Sequence, residues 1–166
     1  AVSAAIRSTA ASSAAAPLLE ARGVTVRFPG DHGPVTVLDD VDLTIVKGQI
    51  LGLVGESGCG KSMLARSILR LVPHPGRIVA GEIRLDGENL LKLSEAAIRD
   101  IRGDRISVVL QEPMTSLNPV FTIGNQIGEV LTKHRPQLSS AQRRAQAIEM
   151  LEKVGIPSAA DLLEHL

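Results

Sequence analysis

The chain has 166 residues, enough to bury one moderate hydrophobic core, so a single domain is the simplest expectation. Its 18 basic and 18 acidic side chains cancel, which removes the electrostatic reason to expect a nucleic acid as the main partner. With two Phe and no Trp or Tyr, the sequence also lacks the aromatic side chains that stack on single-stranded bases.

The first half of the chain begins with an unusual composition and continues with strand patterns. Residues 1–17 are rich in Ala and Ser and are predicted to form a disordered leader, with the folded domain over residues 18–166. Apolar and polar side chains alternate from Val24 to Phe28 and again from Val41 to Ile45, which predicts two half-buried strands. Ile50 to Val54 is apolar throughout and predicts a strand covered on both faces.

The rest of the chain is predicted to contain two further strands and five helices. Two further strands are predicted around Ile83 and Leu85 and over Ile106 to Leu110. Ser139 and Gln142 have the spacing of a capping box, which predicts a helix start. The predicted helices run from Lys61 to Val72, from Ser94 to about Arg102, from Thr122 to about Lys133, from Ser139 to about Val154 and from Ala159 to Leu166.

Residues 55–62 match the pattern G-x-x-x-x-G-K-S between an apolar segment and a predicted helix. The glycines allow backbone conformations closed to other residues, so that successive N–H groups can point at an anion. Lys61 is expected to reach the β- and γ-phosphates of ATP, and the Ser62 hydroxyl to ligate Mg²⁺. The predicted nucleotide-binding residues here are Gly55, Glu56, Ser57, Gly58, Cys59, Gly60, Lys61, Ser62 and Met63.

Two simpler interpretations of this loop stay open. It could be a glycine-rich turn whose Lys61 is only solvated. Cys59 is the single cysteine, so the chain has no internal disulfide and a reducing compartment is favoured. Because Cys59 lies inside the loop, it is interpreted as a small space-filling residue, with a reactive thiol as the alternative.

A second segment identifies a family. Residues 108–124, with QEPMTSLNP at 111–119, resemble the Q-loop region of ATP-binding cassette (ABC) ATPases. In detail they are similar to the ATP-binding subunits of dipeptide, oligopeptide and nickel importers, as are LVGESGCGKS at 53–62 and GNQIGEVL at 124–131. The resemblance covers about residues 18–166. It implies an α/β P-loop NTPase fold with an N-terminal antiparallel β-subdomain and the start of a helical subdomain.

The resemblance also implies roles for individual residues. Gln111 is similar to the Q-loop glutamine, which contacts Mg²⁺ or the attacking water, so it is the predicted catalytic residue and a second metal ligand. Its alternative is a polar residue that ends a buried strand. Phe28 resembles the aromatic residue that stacks on adenine, with packing in the core of its strand as the alternative.

The family implies partners as well. Two ATP-binding subunits, identical or different, would enclose two ATP molecules and pull on transmembrane permease subunits at the cytoplasmic face of the cell membrane; no nucleic acid is expected. The family's LSGGQ-type signature, Walker B strand and switch histidine are absent from these 166 residues, which predicts a truncated cassette with little activity alone. A non-transport ABC ATPase and a nucleotide-binding module without activity are the alternatives.

Overall fold

The computed structural model describes residues 16–109 and 117–165, and the chain forms two compact units, Ala1–Ile98 and Arg99–Leu166. The predicted leader therefore lies almost wholly outside the described residues. The strands are β1 (Pro17–Phe28), β2 (Val35–Val46), β3 (Arg77–Leu85) and β4 (Glu88–Asn89). The helices are α1 (Lys61–Ile68), α2 (Glu95–Ile101), α3 (Ile123–His134), α4 (Ser140–Lys153) and α5 (Ala159–Leu162), with a 3₁₀ turn at Leu90–Lys92.

The first unit is built on an antiparallel sheet with the strand order β2-β1-β3-β4. Val24 and Val26 of β1 are fully buried, but Thr25 between them is buried as well, so the predicted alternation is interrupted where the pairing register shifts. Val24 pairs with Val41 of β2, and Ala21 pairs with Ile83 of β3, so β1 is hydrogen-bonded on both sides. The two strands predicted around Val24–Phe28 and Val41–Ile45 are thus confirmed, and both are longer than the pattern indicated.

The second unit contains three helices around a small apolar core. That core consists of Ala147, Leu151, Ala159 and Leu163, which are all buried. The capping box is confirmed: the Ser139 hydroxyl accepts a hydrogen bond from the Gln142 backbone N–H, and the Gln142 side chain accepts one from the Ser139 N–H. Lys133 of α3 donates a hydrogen bond to Asp100, which lowers the pKa of that carboxyl group.

Two predicted buried strands are wrong. Residues 50–54 form no strand, and the side chains of Ile50 and Val54 are 97% and 91% exposed. Ile106 makes a single bridge to Arg102, and Val109 is 96% exposed. A covered strand needs hydrogen-bonded neighbours, and among the described residues no strand pairs with either segment.

Two helices end earlier than predicted. Helix α1 stops at Ile68 because Arg70 takes a left-handed φ of 53°, and the Arg70 guanidinium donates to the carbonyl oxygens of Leu90 and Leu93. The Leu71 N–H then donates to the Arg66 carbonyl oxygen, a backbone hydrogen bond that closes the helix end. Helix α5 ends at Leu162 instead of Leu166, since the backbone N–H groups of the last described residues form tighter turns.

In the part of the chain that the structure describes, no helix is long and apolar enough to cross a bilayer.

We expect Ser139→Ala to lower the free energy of unfolding by about 1 kcal/mol, because it leaves a backbone N–H at the start of α4 without its acceptor. Urea unfolding followed by circular dichroism measures the change. Ser140→Ala is the matched control, since Ser140 is already the first helical residue and Ala favours helix. Equal losses for the two variants would contradict the capping role.

Candidate phosphate-binding site

The glycine loop packs on the sheet through Gly60. Gly60 precedes α1 with a left-handed φ of 97°, a conformation that favours glycine. A Cβ on Gly60 would lie 2.8 Å from Leu38 Cδ2 and 3.3 Å from the Val37 carbonyl oxygen, both on β2. The loop backbone can therefore reach the edge strand of the sheet only because residue 60 has no side chain.

The Lys61 ammonium is held within the loop. Its Nζ donates to the carbonyl oxygens of Gly55, at 2.7 Å, and Glu56, at 2.6 Å, and lies 3.4 Å from Cys59 Sγ. The Lys61 side chain is thus folded back on its own loop, although both hydrogen bonds remain exposed to solvent. A positive charge lies where the sequence pattern predicts phosphate oxygens.

The start of α1 adds to this positive charge. The first N–H groups of a helix have no acceptor within the helix and carry its partial positive charge. Helix α1 has no acidic residue in its first turn, so no carboxylate competes with an anion there. Ser62 is exposed in this turn, with its hydroxyl available to a hard cation, whereas Met63 is half-buried and its carbonyl accepts a hydrogen bond from Ser67.

The remaining loop residues shape the cradle. A Cβ on Gly55 would lie 2.8 Å from Cys59 Sγ, so the half-buried sulfur fills space inside the loop, as the small-residue interpretation predicts. Gly58 has a left-handed φ of 81°, and a Cβ at this position would meet no atom within 4 Å. Glu56 and Ser57 are exposed at the tip of the loop, where the backbone turns.

Phe28 ends β1 beside an apolar hollow of about 460 Å³. The Phe28 side chain is half-buried. In the sheet Phe28 pairs with Val35, two residues before the Val37 carbonyl that approaches Gly60. Strand β2 therefore connects the surroundings of Phe28 to the phosphate loop. The hollow is lined by Arg27, Phe28, Pro29, Pro34, Pro75, Arg77 and Val79.

The predicted catalytic residue, Gln111, lies outside the described residues, so its role stays a prediction.

The sequence patterns did not identify two residues that the structure brings to these sites. Leu38 limits the space at Gly60. Gly76 contacts the Phe28 ring. Both contacts join residues distant in sequence, and no local pattern signals them.

Comparisons with known proteins agree with this geometry. Residues 38–165 match the sequence profile of the ABC transporter family. The chain is 42% identical over 141 residues to the oligopeptide transport ATP-binding protein OppD of Bacillus subtilis, covering 84% of this chain and 39% of the relative. It is 43% identical over 141 residues to the peptidoglycan transport ATP-binding protein YejF of Agrobacterium fabrum, covering 84% of this chain and 26% of the relative.

Solved structures show the same fold. The ATP-binding cassette MJ0796, a dimer bound to ADP and Pi, matches with a TM-score of 0.75 and 26% identity over 89% of this chain and 60% of that chain. The P-loop NTPase fold with an antiparallel β-subdomain, expected from the sequence, is confirmed. The chain spans less than half the length of the curated relatives that it matches.

We expect Gly60→Ala to lower the free energy of unfolding more than Gly58→Ala does. Both residues have a left-handed φ, so both substitutions introduce backbone strain of about 1–2 kcal/mol. Only at position 60 does the new methyl group also overlap Leu38, which adds about 1–3 kcal/mol of overpacking. Urea unfolding of the two variants measures the difference, and equal values would show that the loop does not pack on β2.

Proposed function

Since the chain belongs to the ABC transporter family, we propose that it is the ATP-binding part of an importer for peptides or a related small solute. The observation that carries the proposal is the Lys61 ammonium, held inside a glycine loop at the start of α1. The two relatives are named for the transport of oligopeptides and peptidoglycan, and the proposal extends this class of solute to the present chain.

The loop binds the triphosphate tail in this proposal. Backbone N–H groups at the start of α1 donate to phosphate oxygens. The Lys61 ammonium gives up its hydrogen bonds to the loop carbonyl oxygens and contacts the β- and γ-phosphates instead. The exposed Ser62 hydroxyl is a suitable ligand for Mg²⁺, which would neutralise the charge of the phosphates. Gln111 would be a second metal ligand and would orient the attacking water, as the family resemblance implies.

In the same proposal, the adenine base stacks on the Phe28 ring. The hollow beside the ring is lined mainly by apolar side chains, which suits the flat surface of a base. Two arginines, Arg27 and Arg77, border it and can contact a polar edge of the nucleotide. Support for a common nucleotide site comes from β2, which contacts Phe28 through Val35 and the phosphate loop through Val37 and Leu38.

We assign the interaction with a permease to the segment before α3. Leu117, Val120 and Phe121 are 51%, 74% and 52% exposed, so three large apolar side chains within five residues face solvent. An exposed apolar cluster of this kind is typical of a surface that a partner covers. A second copy or a related ATP-binding subunit would complete the assembly, by analogy with the dimeric cassette of known structure.

A non-transport ABC ATPase is the competing function. It would use the same phosphate loop but would need no membrane partner. The exposed cluster of Leu117, Val120 and Phe121 favours the importer, because a transport ATPase must dock on its permease.

We expect the double variant Lys61→Ala/Ser62→Ala of the intact protein to bind Mg-ATP at least tenfold more weakly, since it loses charge-assisted contacts to the phosphates and a metal ligand. Isothermal titration calorimetry measures the affinity. Lys47→Ala, in the exposed turn after β2, is the control for loss of one positive charge. Unchanged Mg-ATP binding by the double variant would remove the basis of the proposed function.

The importer and the non-transport alternative are separated by Phe121→Asp. We expect the intact protein to co-purify with a multi-span membrane protein and this variant to lose most of that partner while retaining Mg-ATP affinity, because a buried charge opposes docking. Val154→Asp places the same charge on another exposed apolar residue, 70% exposed, and should retain the partner. Purification of the intact protein without any membrane protein would favour the alternative.

A further inference from the structure

Gly76 lies just before β3, in the segment that passes the end of β1. Its N–H donates to the Pro73 carbonyl oxygen at 2.9 Å, which closes a tight turn. The φ of Gly76 lies outside the left-handed region, so its backbone conformation is open to alanine. The need for glycine at this position must therefore come from its surroundings.

Those surroundings are the Phe28 ring. A Cβ on Gly76 would lie 2.7 Å from Phe28 Cε2 and closer still to Cε1 and Cζ. Because such a methyl group would be almost equally far from three consecutive ring carbons, it would lie over the face of the ring and not beyond its rim. The Gly76 backbone thus packs against one face of the phenyl ring at a distance that no side chain permits.

We infer that Gly76 is a positioning residue for nucleotide binding, which acts by fixing the plane of the Phe28 ring. With one face covered by the Gly76 backbone and the ring lining the hollow, the base stacks on the remaining exposed part of the ring. A larger residue at position 76 turns or displaces the ring and misaligns the base. This inference rests on the proposed role of Phe28 in binding adenine.

The first test compares two ligands. Gly76→Ala in the intact protein should weaken ATP binding about tenfold, as expected for loss of a base–aromatic stack, and leave inorganic tripolyphosphate binding unchanged because that ligand has no base. Gly128→Ala is the matched control, since a Cβ on Gly128 meets no atom within 4 Å. An equal loss for ATP and tripolyphosphate would overturn the inference and leave the role of Phe28 intact.

The second test asks whether the effect passes through the ring. Adding Gly76→Ala to Phe28→Ala should change ATP affinity by less than about twofold, because coupled residues are not additive and the ring is already absent. A further loss comparable to that of Gly76→Ala alone would contradict positioning through Phe28. If Phe28→Ala itself leaves ATP affinity unchanged, the proposed role of Phe28 fails and the inference fails with it.

Proton NMR tests the packing without any nucleotide. Phe28 and Phe121 are the only two phenylalanines, and the chain has no Tyr or Trp, so few rings can shift a nearby proton. We expect the Gly76 Hα resonances to lie upfield of random-coil values and to return toward them in Phe28→Ala. Unshifted resonances in the intact protein would overturn the inference about Gly76 and leave the stacking role of Phe28 to be judged from ATP affinity alone.

Discussion

The candidate site depends on the close approach of the Gly60 backbone to β2. Leu38 and Val37 leave no room for a side chain at residue 60, and the left-handed φ of that residue turns the chain directly into α1. This single contact fixes where the helix begins, and therefore where its unpaired N–H groups lie. Since β2 also pairs with Phe28 through Val35, the same strand relates the loop to the hollow beside that ring.

The charge arrangement of the loop follows from this anchor. Lys61 is the first residue of α1, and its ammonium turns back toward the carbonyl oxygens of Gly55 and Glu56. Carbonyl oxygens are neutral, so they solvate the ammonium without cancelling its charge. The helix terminus contributes positive potential at the same place. The Lys61 ammonium therefore keeps its attraction for an anion, whereas a carboxylate hydrogen-bonded to it would have cancelled its charge.

The sequence predicted those features that short-range patterns encode. Alternation located β1 and β2, the spacing of Ser139 and Gln142 located the start of α4, and the glycine pattern located the phosphate loop. The run from Ile50 to Val54 was misinterpreted because apolar composition reports a preference for burial and not the presence of neighbouring strands. Gly76 was missed for a related reason, since its requirement comes from a ring 48 positions earlier in the chain.

Gly60 and Gly76 show that two glycines can be needed for different physical reasons. Gly60 is constrained by its φ and by its neighbour, so shortening Leu38 would relieve the overlap and leave the backbone strain. Gly76 is constrained by its neighbour alone, so its tolerance for a side chain depends on what residue 28 is. In the proposed site the phosphate end is therefore fixed by backbone conformation and packing together, whereas the base end is fixed by packing alone and can be altered by substituting residues 28 and 76 together.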